Sequence, residues 1–211
     1  MDFIKEPMAI ENRSMELIAP HLAELGLDEA ATKVYSRLIH ASGDVGYAPI
    51  IRVHPEAIGV AMDALRKGAH IYTDVEMVRT GINKKKLASF GGEVHCLVAD
   101  PDVAVRAKQE GITRSMIAMR QFGKDLNGSI VAIGNAPTAL FEVLRMVREE
   151  GIRPACIVGI PVGFVGAAES KAELAANGIV PYITVEGTKG GSPIAAAAVN
   201  AMMYLIDNTR P

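Results

Sequence analysis

Tryptophan is absent from this 211-residue chain, and only 5% of the residues are aromatic. That argues against a surface built to stack on nucleic-acid bases. Excess positive charge is missing too: 22 Lys and Arg stand against 24 Asp and Glu, a net charge of −2. The basic block Lys84-Lys85-Lys86 reads as a solvated helix start, so no nucleic-acid partner is expected. Cysteine is limited to Cys96 and Cys156, each inside an apolar run that reads as a strand. Free, buried thiols are expected there, and no CxxC pair suggests zinc or redox chemistry. No set of potential ligands shows metal-site spacing, so no resident metal is expected. The N-terminus lacks a basic region followed by an apolar one. Ser192–Ile206 is too short to be a membrane span and is interrupted by Asn200. The expectation is a soluble, cytoplasmic protein without a membrane partner.

The chain does have apolar residues, 49% of the total, enough for one substantial core. Five short runs read as buried strands: Ala69–Thr73, Val94–Ala99, Ser129–Gly134, Ala155–Ile160 and Pro181–Val185. Several are almost continuously apolar, as suits strands covered on both faces. Helical patterns lie between and after them at Pro101–Gln109, Thr113–Phe122, Pro137–Glu149, Ala167–Ala176 and Pro193–Ile206. The alternation predicts a three-layer, Rossmann-like α/β fold: a five-stranded parallel sheet with helices on both faces. Residues 1–66 carry helical patterns at about Ile10–Leu25, Asp28–Ala41 and Pro55–Arg66. With no Pro/Ser-rich linker, 1–211 reads as a single domain with an N-terminal helical layer on the sheet.

Ligands of parallel sheets bind outside the carboxyl ends of the strands, so the residues after each strand matter most. Thr73 and Glu76 have capping-box spacing. Asn135, in Gly134-Asn-Ala-Pro-Thr138, reads as a helix cap or a ligand contact. Two loops are glycine-rich: Gly159-Ile-Pro-Val-Gly-Phe-Val-Gly166 and Glu186-Gly-Thr-Lys-Gly-Gly-Ser-Pro193. Backbone N–H groups in such loops can receive anions. GxxxxGK[ST] and GxGxxG are both absent. Asp100 could imitate a ribose-binding acid, but Asp100-Pro101 already reads as a helix start. Carboxylates are the better-supported ligands. Arg114 and Ser115 lie at a helix N-terminus, with Arg120 farther along; Arg13-Ser14 and Lys189 are further candidates.

His40 has the most suggestive position. The helix from Asp28, its N-cap, carries an apolar stripe of Ala31, Val34, Leu38 and Ala41, and His40 lies off the centre of that stripe. Gly43 is placed to end the helix. A helix C-terminus favours imidazolium, which makes His40 either a charge complement or a proton donor.

The chain resembles the precorrin-8X methylmutase and cobalt-precorrin-8 methylmutase family of the cobalamin pathway. Six segments carry the resemblance over nearly the whole chain: Glu11-Asn-Arg-Ser14, His40-Ala-Ser-Gly-Asp44, the run Thr73–Ile82, Gly134-Asn-Ala-Pro-Thr-Ala-Leu140, the run Gly159–Lys171, and Gly187-Thr-Lys-Gly-Gly-Ser192. The resemblance implies an intramolecular transfer of a methyl group from C11 to C12 of ring C, a 1,5-sigmatropic shift. The product is hydrogenobyrinate or its cobalt form. No cofactor is implied, and His40 matches the catalytic histidine. Ser14, Arg13, Thr80, Lys85, Arg114, Ser115, Lys189 and Gly190 are implied to hold the tetrapyrrole carboxylates. A homodimer with the active site near the interface is implied as well. Two rivals remain: a non-catalytic corrinoid carrier, and a Rossmann-like enzyme using S-adenosylmethionine or NAD.

Overall fold

The computed structural model describes residues 3–207. Two helices come first, α1 (Pro7–Leu22) and α2 (Glu29–Ser42). Asp28 caps α2, accepting the Ala31 N–H at 2.7 Å, and Gly43 ends it with a left-handed φ of 65°. The buried face is Val34, Tyr35, Leu38 and Ile39, while Ala41 of the expected stripe is exposed. Tyr35 explains the rotation: its hydroxyl donates to the Ile51 carbonyl at 3.1 Å and turns this side of the helix inward.

The rest of the chain alternates strand and helix. In order come β1 (Ile51–Val53), α3 (Ala57–Arg66), β2 (Ile71–Thr73), α4 (Glu76–Gly81), α5 (Lys84–Ser89), β3 (Val94–Cys96), α6 (Pro101–Glu110), α7 (Arg114–Phe122), β4 (Ile130–Ile133), α8 (Pro137–Glu149), β5 (Cys156–Gly159), α9 (Ala167–Ala176), β6 (Tyr182–Val185) and α10 (Ser192–Asp207). Asp100 does start α6, accepting the N–H groups of Asp102 and Val103. Lys84-Lys85-Lys86 does open a short helix, capped by Asn83.

The sheet has six strands, not five, in the order β1-β6-β5-β4-β2-β3. Neighbours are parallel except β1, which runs antiparallel to β6. The sequence reading missed β1 because three residues between Pro49 and Pro55 are too few to show a period. Alternate strand residues face opposite layers. Ile130 and Val158 pack with α1, α2, α3 and α10 through Leu22, Leu38, Leu65 and Met202. Val131 and Ile157 pack on the other side with Phe122, Leu140 and Leu144. The first two helices therefore share a core with the sheet.

Candidate active site

Strand order reverses between β2 and β4, where an open parallel sheet usually leaves its ligand crevice. Here Asp74 fills that place. Its fully buried carboxylate accepts the N–H groups of Gly134, Asn135 and Ala136 at 3.0, 2.9 and 2.7 Å. Burial pushes the Asp74 carboxyl above the usual range, and the three donors oppose that rise. Those N–H groups are thus engaged by the protein itself. Two readings of the neighbourhood change. Asn135 does not cap α8; its side chain is exposed and the helix begins with Pro137. Thr73 and Glu76 form no capping box: the Thr73 hydroxyl donates to the His95 carbonyl, and Glu76 accepts from Arg79. The local pattern lost because Thr73 is still in β2, and α4 starts only at Glu76 with Val75 at its N-cap.

The two glycine loops, after β5 and β6, lie against each other. Gly163 N–H donates to the Thr188 carbonyl at 3.2 Å, and Gly191 N–H to Ile160 at 2.9 Å. These two donors are therefore not available to an anion. Gly190 has a φ of 154°, and a Cβ there would stand 2.5 Å from the Ile160 carbonyl oxygen, so only glycine fits. Lys171, 1% exposed, reaches up from α9 and donates to the Lys189 carbonyl. Burial brings its pKa down to about 8.

His40 is exposed on the last turn of α2 and lines a cleft of about 250 Å³ with Arg37, Asn200 and Tyr204. Arg37 forms an ion pair with Glu11, which joins α1 to the wall of this cleft. Asn200 accepts the Asn83 N–H and donates to the Gly81 carbonyl, both at 2.9 Å. The Asn83 amide donates to Tyr204 at 3.0 Å. Through α10, His40 is therefore linked to the segment that carries Thr80 and Lys85, both exposed. On the other side the turn after His40 is tied to the β6 loop: Lys189 donates to Asp44 at 2.5 Å. That bond holds the Asp44 carboxyl below its usual value and the Lys189 ammonium above. Tyr47 adds a bond to the Gly190 carbonyl and a ring face beneath the Lys189 ammonium.

Thr80 and Lys85 thus belong to a segment that Asn200 and Tyr204 tie to α10, and Lys189 and Gly190 to a loop tied to Asp44 and Tyr47 after His40. Arg13 and Ser14 lie beside Glu11 on α1; Arg13 pairs with Glu16, and the Ser14 hydroxyl donates to the Ile10 carbonyl. Arg114 and Ser115 belong to the opposite helical layer. Their helix starts beside α8, where the Thr113 and Thr138 hydroxyls are 2.9 Å apart. Arg114 is exposed and Ser115 is 7% exposed. Arg120 is not an anion receiver: it grips Glu142 through two nitrogens, at 2.9 and 3.1 Å, and pairs with Glu110. Asp74, Lys171, Glu11 and Arg37 escaped the sequence reading, although all except Arg37 stand in the resembling segments. An acidic residue directly after a buried strand was the available signal for Asp74.

The fold and site define a class: a Rossmann-like α/β protein whose nucleotide crevice is closed by its own aspartate, with a polar cleft at the α2–α10 contact. The profile of the CbiC family, precorrin-8X methylmutase, matches residues 9–205. Cobalt-precorrin-8 methylmutase of Priestia megaterium is 41% identical over 203 residues, 96% of this chain and 90% of that protein. Precorrin-8X methylmutase of Pseudomonas aeruginosa is 42% identical, over 96% of this chain and 97% of its own. The crystal structure of precorrin-8X methylmutase from Thermus thermophilus superposes with a TM-score of 0.86 at 36% identity, covering 95% of this chain and 97% of that one. The chain belongs to the precorrin-8X methylmutase family.

Proposed function

We propose that this chain is an isomerase of cobalamin biosynthesis that moves the C11 methyl group of precorrin-8X, or of cobalt-precorrin-8, to C12. The observation that carries the reading is His40. It stands exposed at a helix end, in a cleft, beside a turn fastened to the glycine loop after β6. In this reading the imidazolium of His40 protonates the conjugated ring system and shifts its tautomer. The methyl group then migrates, and the proton returns to the imidazole, so substrate and product are isomers. General acid catalysis of this kind supplies about 10²–10⁴-fold in rate. The remaining task is to hold a large, acid-rich macrocycle in one pose. Lys189, Lys85, Thr80, Arg13, Ser14 and the Gly190 backbone are the proposed carboxylate contacts around His40. Arg114 and Ser115 lie in the other helical layer, and in this reading they reach the substrate of a second subunit.

That second subunit is part of the proposal. Phe164 and Val165, at the tip of the β5 loop, are 95% and 89% exposed, and Leu17 on α1 is 56% exposed. Single apolar residues on a surface are ordinary, but a phenylalanine and a valine together on a loop tip suit an interface. We infer that two copies form a homodimer whose N-terminal helices and β5 loops meet near the site. No helix of the described residues is long and apolar enough to cross a membrane, and we place the enzyme in the cytoplasm with its pathway. The methyl-donor reading is weaker. The loop after β2 has no glycine turn, and Asp74 occupies the crevice a nucleotide would need.

The test is the absorption spectrum of purified protein mixed with precorrin-8X and, separately, with cobalt-precorrin-8. A more conjugated product spectrum is expected with one or both. His40→Ala is expected to slow its appearance by about 10²–10⁴-fold while thermal stability holds, because the side chain is exposed. Near wild-type turnover by that variant sinks the assignment of His40. Tight binding with no conversion of either substrate by wild-type protein would favour the carrier.

A further inference from the structure

At the opposite ends of the strands, on the sheet edge formed by β2 and β3, three side chains converge. His70 Nδ1 and His95 Nε2 are 3.1 Å apart, and the Glu93 carboxylate lies within 4.8 Å of both. Among the described residues this is the one group of His, Cys, Asp or Glu side chains close enough to share a metal ion. We propose that it is a binding site for a divalent late first-row metal, with zinc as the reference ion.

The register of the sheet builds the cluster. Tyr72 pairs with His95 and Ile71 with Val94, so His70 and Glu93 stand level one step earlier. All four side chains then project from the same face, because alternate strand residues share a side. The Ile71 N–H to Glu93 carbonyl bond of 2.9 Å fixes the two backbones. The His95 ring is held by stacking on Tyr72, with centroids 5.0 Å apart and planes 23° apart, and Phe122 abuts Tyr72 edge-on. Two imidazoles are therefore set in place before any ion arrives.

The chemistry fits the geometry. Zinc–nitrogen bonds of about 2.0–2.1 Å put two tetrahedral nitrogen ligands roughly 3.3 Å apart, close to the separation of His70 and His95. Without an ion, one of those nitrogens must carry the shared proton and the other accept it. When a metal ion binds, that proton moves to the other nitrogen of the same ring, and the ion takes the lone pairs of His70 Nδ1 and His95 Nε2. Glu93 is exposed and can swing its carboxylate inward, leaving the fourth position to water. Imidazole and carboxylate donors suit zinc, nickel, cobalt or copper better than magnesium or calcium. The site lies away from His40 and joins an edge strand to the sheet, so its role is to stabilise the edge.

Zinc titration of chelator-dialysed protein, by calorimetry and by thermal unfolding, tests this. One equivalent of zinc per chain is expected, and at about 100-fold above Kd the Tm rises by roughly 5–10 °C. His70→Ala and His95→Ala each weaken binding by about 100-fold or more, since loss of even an outer-shell partner costs about 10–100-fold. His54→Ala and His40→Ala leave zinc affinity unchanged. Should either alanine variant fail to fold, Glu93→Gln, at an exposed position, is expected to weaken zinc binding about tenfold. Cobalt(II) bound to wild-type protein should also give the intense visible band of a tetrahedral site. Wild-type protein that takes up no zinc at 100 µM overturns the proposal. So does binding indifferent to His70, His95 and Glu93.

Discussion

A single buried cation shows how one residue can shape the site without entering the reaction. Lys171 is 1% exposed and donates to the Lys189 carbonyl, two facts that place an ammonium under the β6 loop. With a pKa near 8 instead of 10.5, it stays mostly charged at pH 7 while the protein disfavours the charge. The unfolded chain holds this proton more tightly than the folded one, so stability rises with pH between about 8 and 10.4. Lys171→Met keeps much of the volume and removes both the charge and the bond. Two outcomes are expected from it. The Tm rise between pH 8 and 10 shrinks in a thermal melt series, and substrate affinity falls by about tenfold as the loop carrying Lys189 loosens. Turnover of bound substrate stays close to wild type, because His40 is untouched. An unchanged affinity would show that the bond does not position the loop.

Among the elements, the contact between α7 and α8 depends on one carboxylate. Glu142 is 2% exposed and receives Arg120 from α7 and Arg145 from its own helix. Burial raises its pKa, but the two guanidiniums more than offset that and hold it below the usual range. A depressed carboxylate contributes stability above the unfolded pKa of about 4.3, and that contribution is lost as the pH falls through the folded value. Glu142→Gln removes the buried anion that the two arginines share, leaving Arg120 to Glu110 and Arg145 to Glu149 and Glu150 at the more exposed rim. The expected cost at pH 7 is about 3 kcal/mol, or roughly 10 °C in Tm, by thermal unfolding. The gap between variant and wild type should narrow as the pH is taken below about 4.3. A drop under 2 °C at pH 7 would mean that the network is solvent-screened and carries little energy.

For the whole molecule, the decisive question is whether a second copy covers the β5 loop, as proposed above. An exposed Phe side chain that becomes buried gains about 1.5–3 kcal/mol, and a twofold interface counts it twice. Phe164→Asp is therefore expected to weaken self-association by at least about 100-fold, read by sedimentation equilibrium. The subunit itself should melt within about 1 °C of wild type, since the side chain touches little within its own chain. If Arg114 and Ser115 serve the neighbouring subunit's substrate, activity falls as the dimer dissociates and returns at high protein concentration. A monomeric wild-type protein with full activity would remove both the interface and that role.

Local rules and chain distance separate what was legible from what was not. The caps Asp28 and Asp100, the glycine stop at Gly43 and most of the strand and helix series follow from interactions within a turn or two. His40 at its helix end belongs to this set, as do the missing nucleotide fingerprints. By itself, then, the sequence determined the α/β class, the parallel core of the sheet and the candidate proton donor. Only the tertiary structure decided the rest. It added β1, an edge strand too short to show a period, and set Asp74 against N–H groups about 60 residues away. It joined Lys189 to Asp44 across 145 residues and committed Arg120 to Glu142. It also brought His70 to His95 by the register of two parallel strands. Periodicity records which face of an element is buried, whereas partners between distant elements depend on strand order and register, which no local pattern encodes.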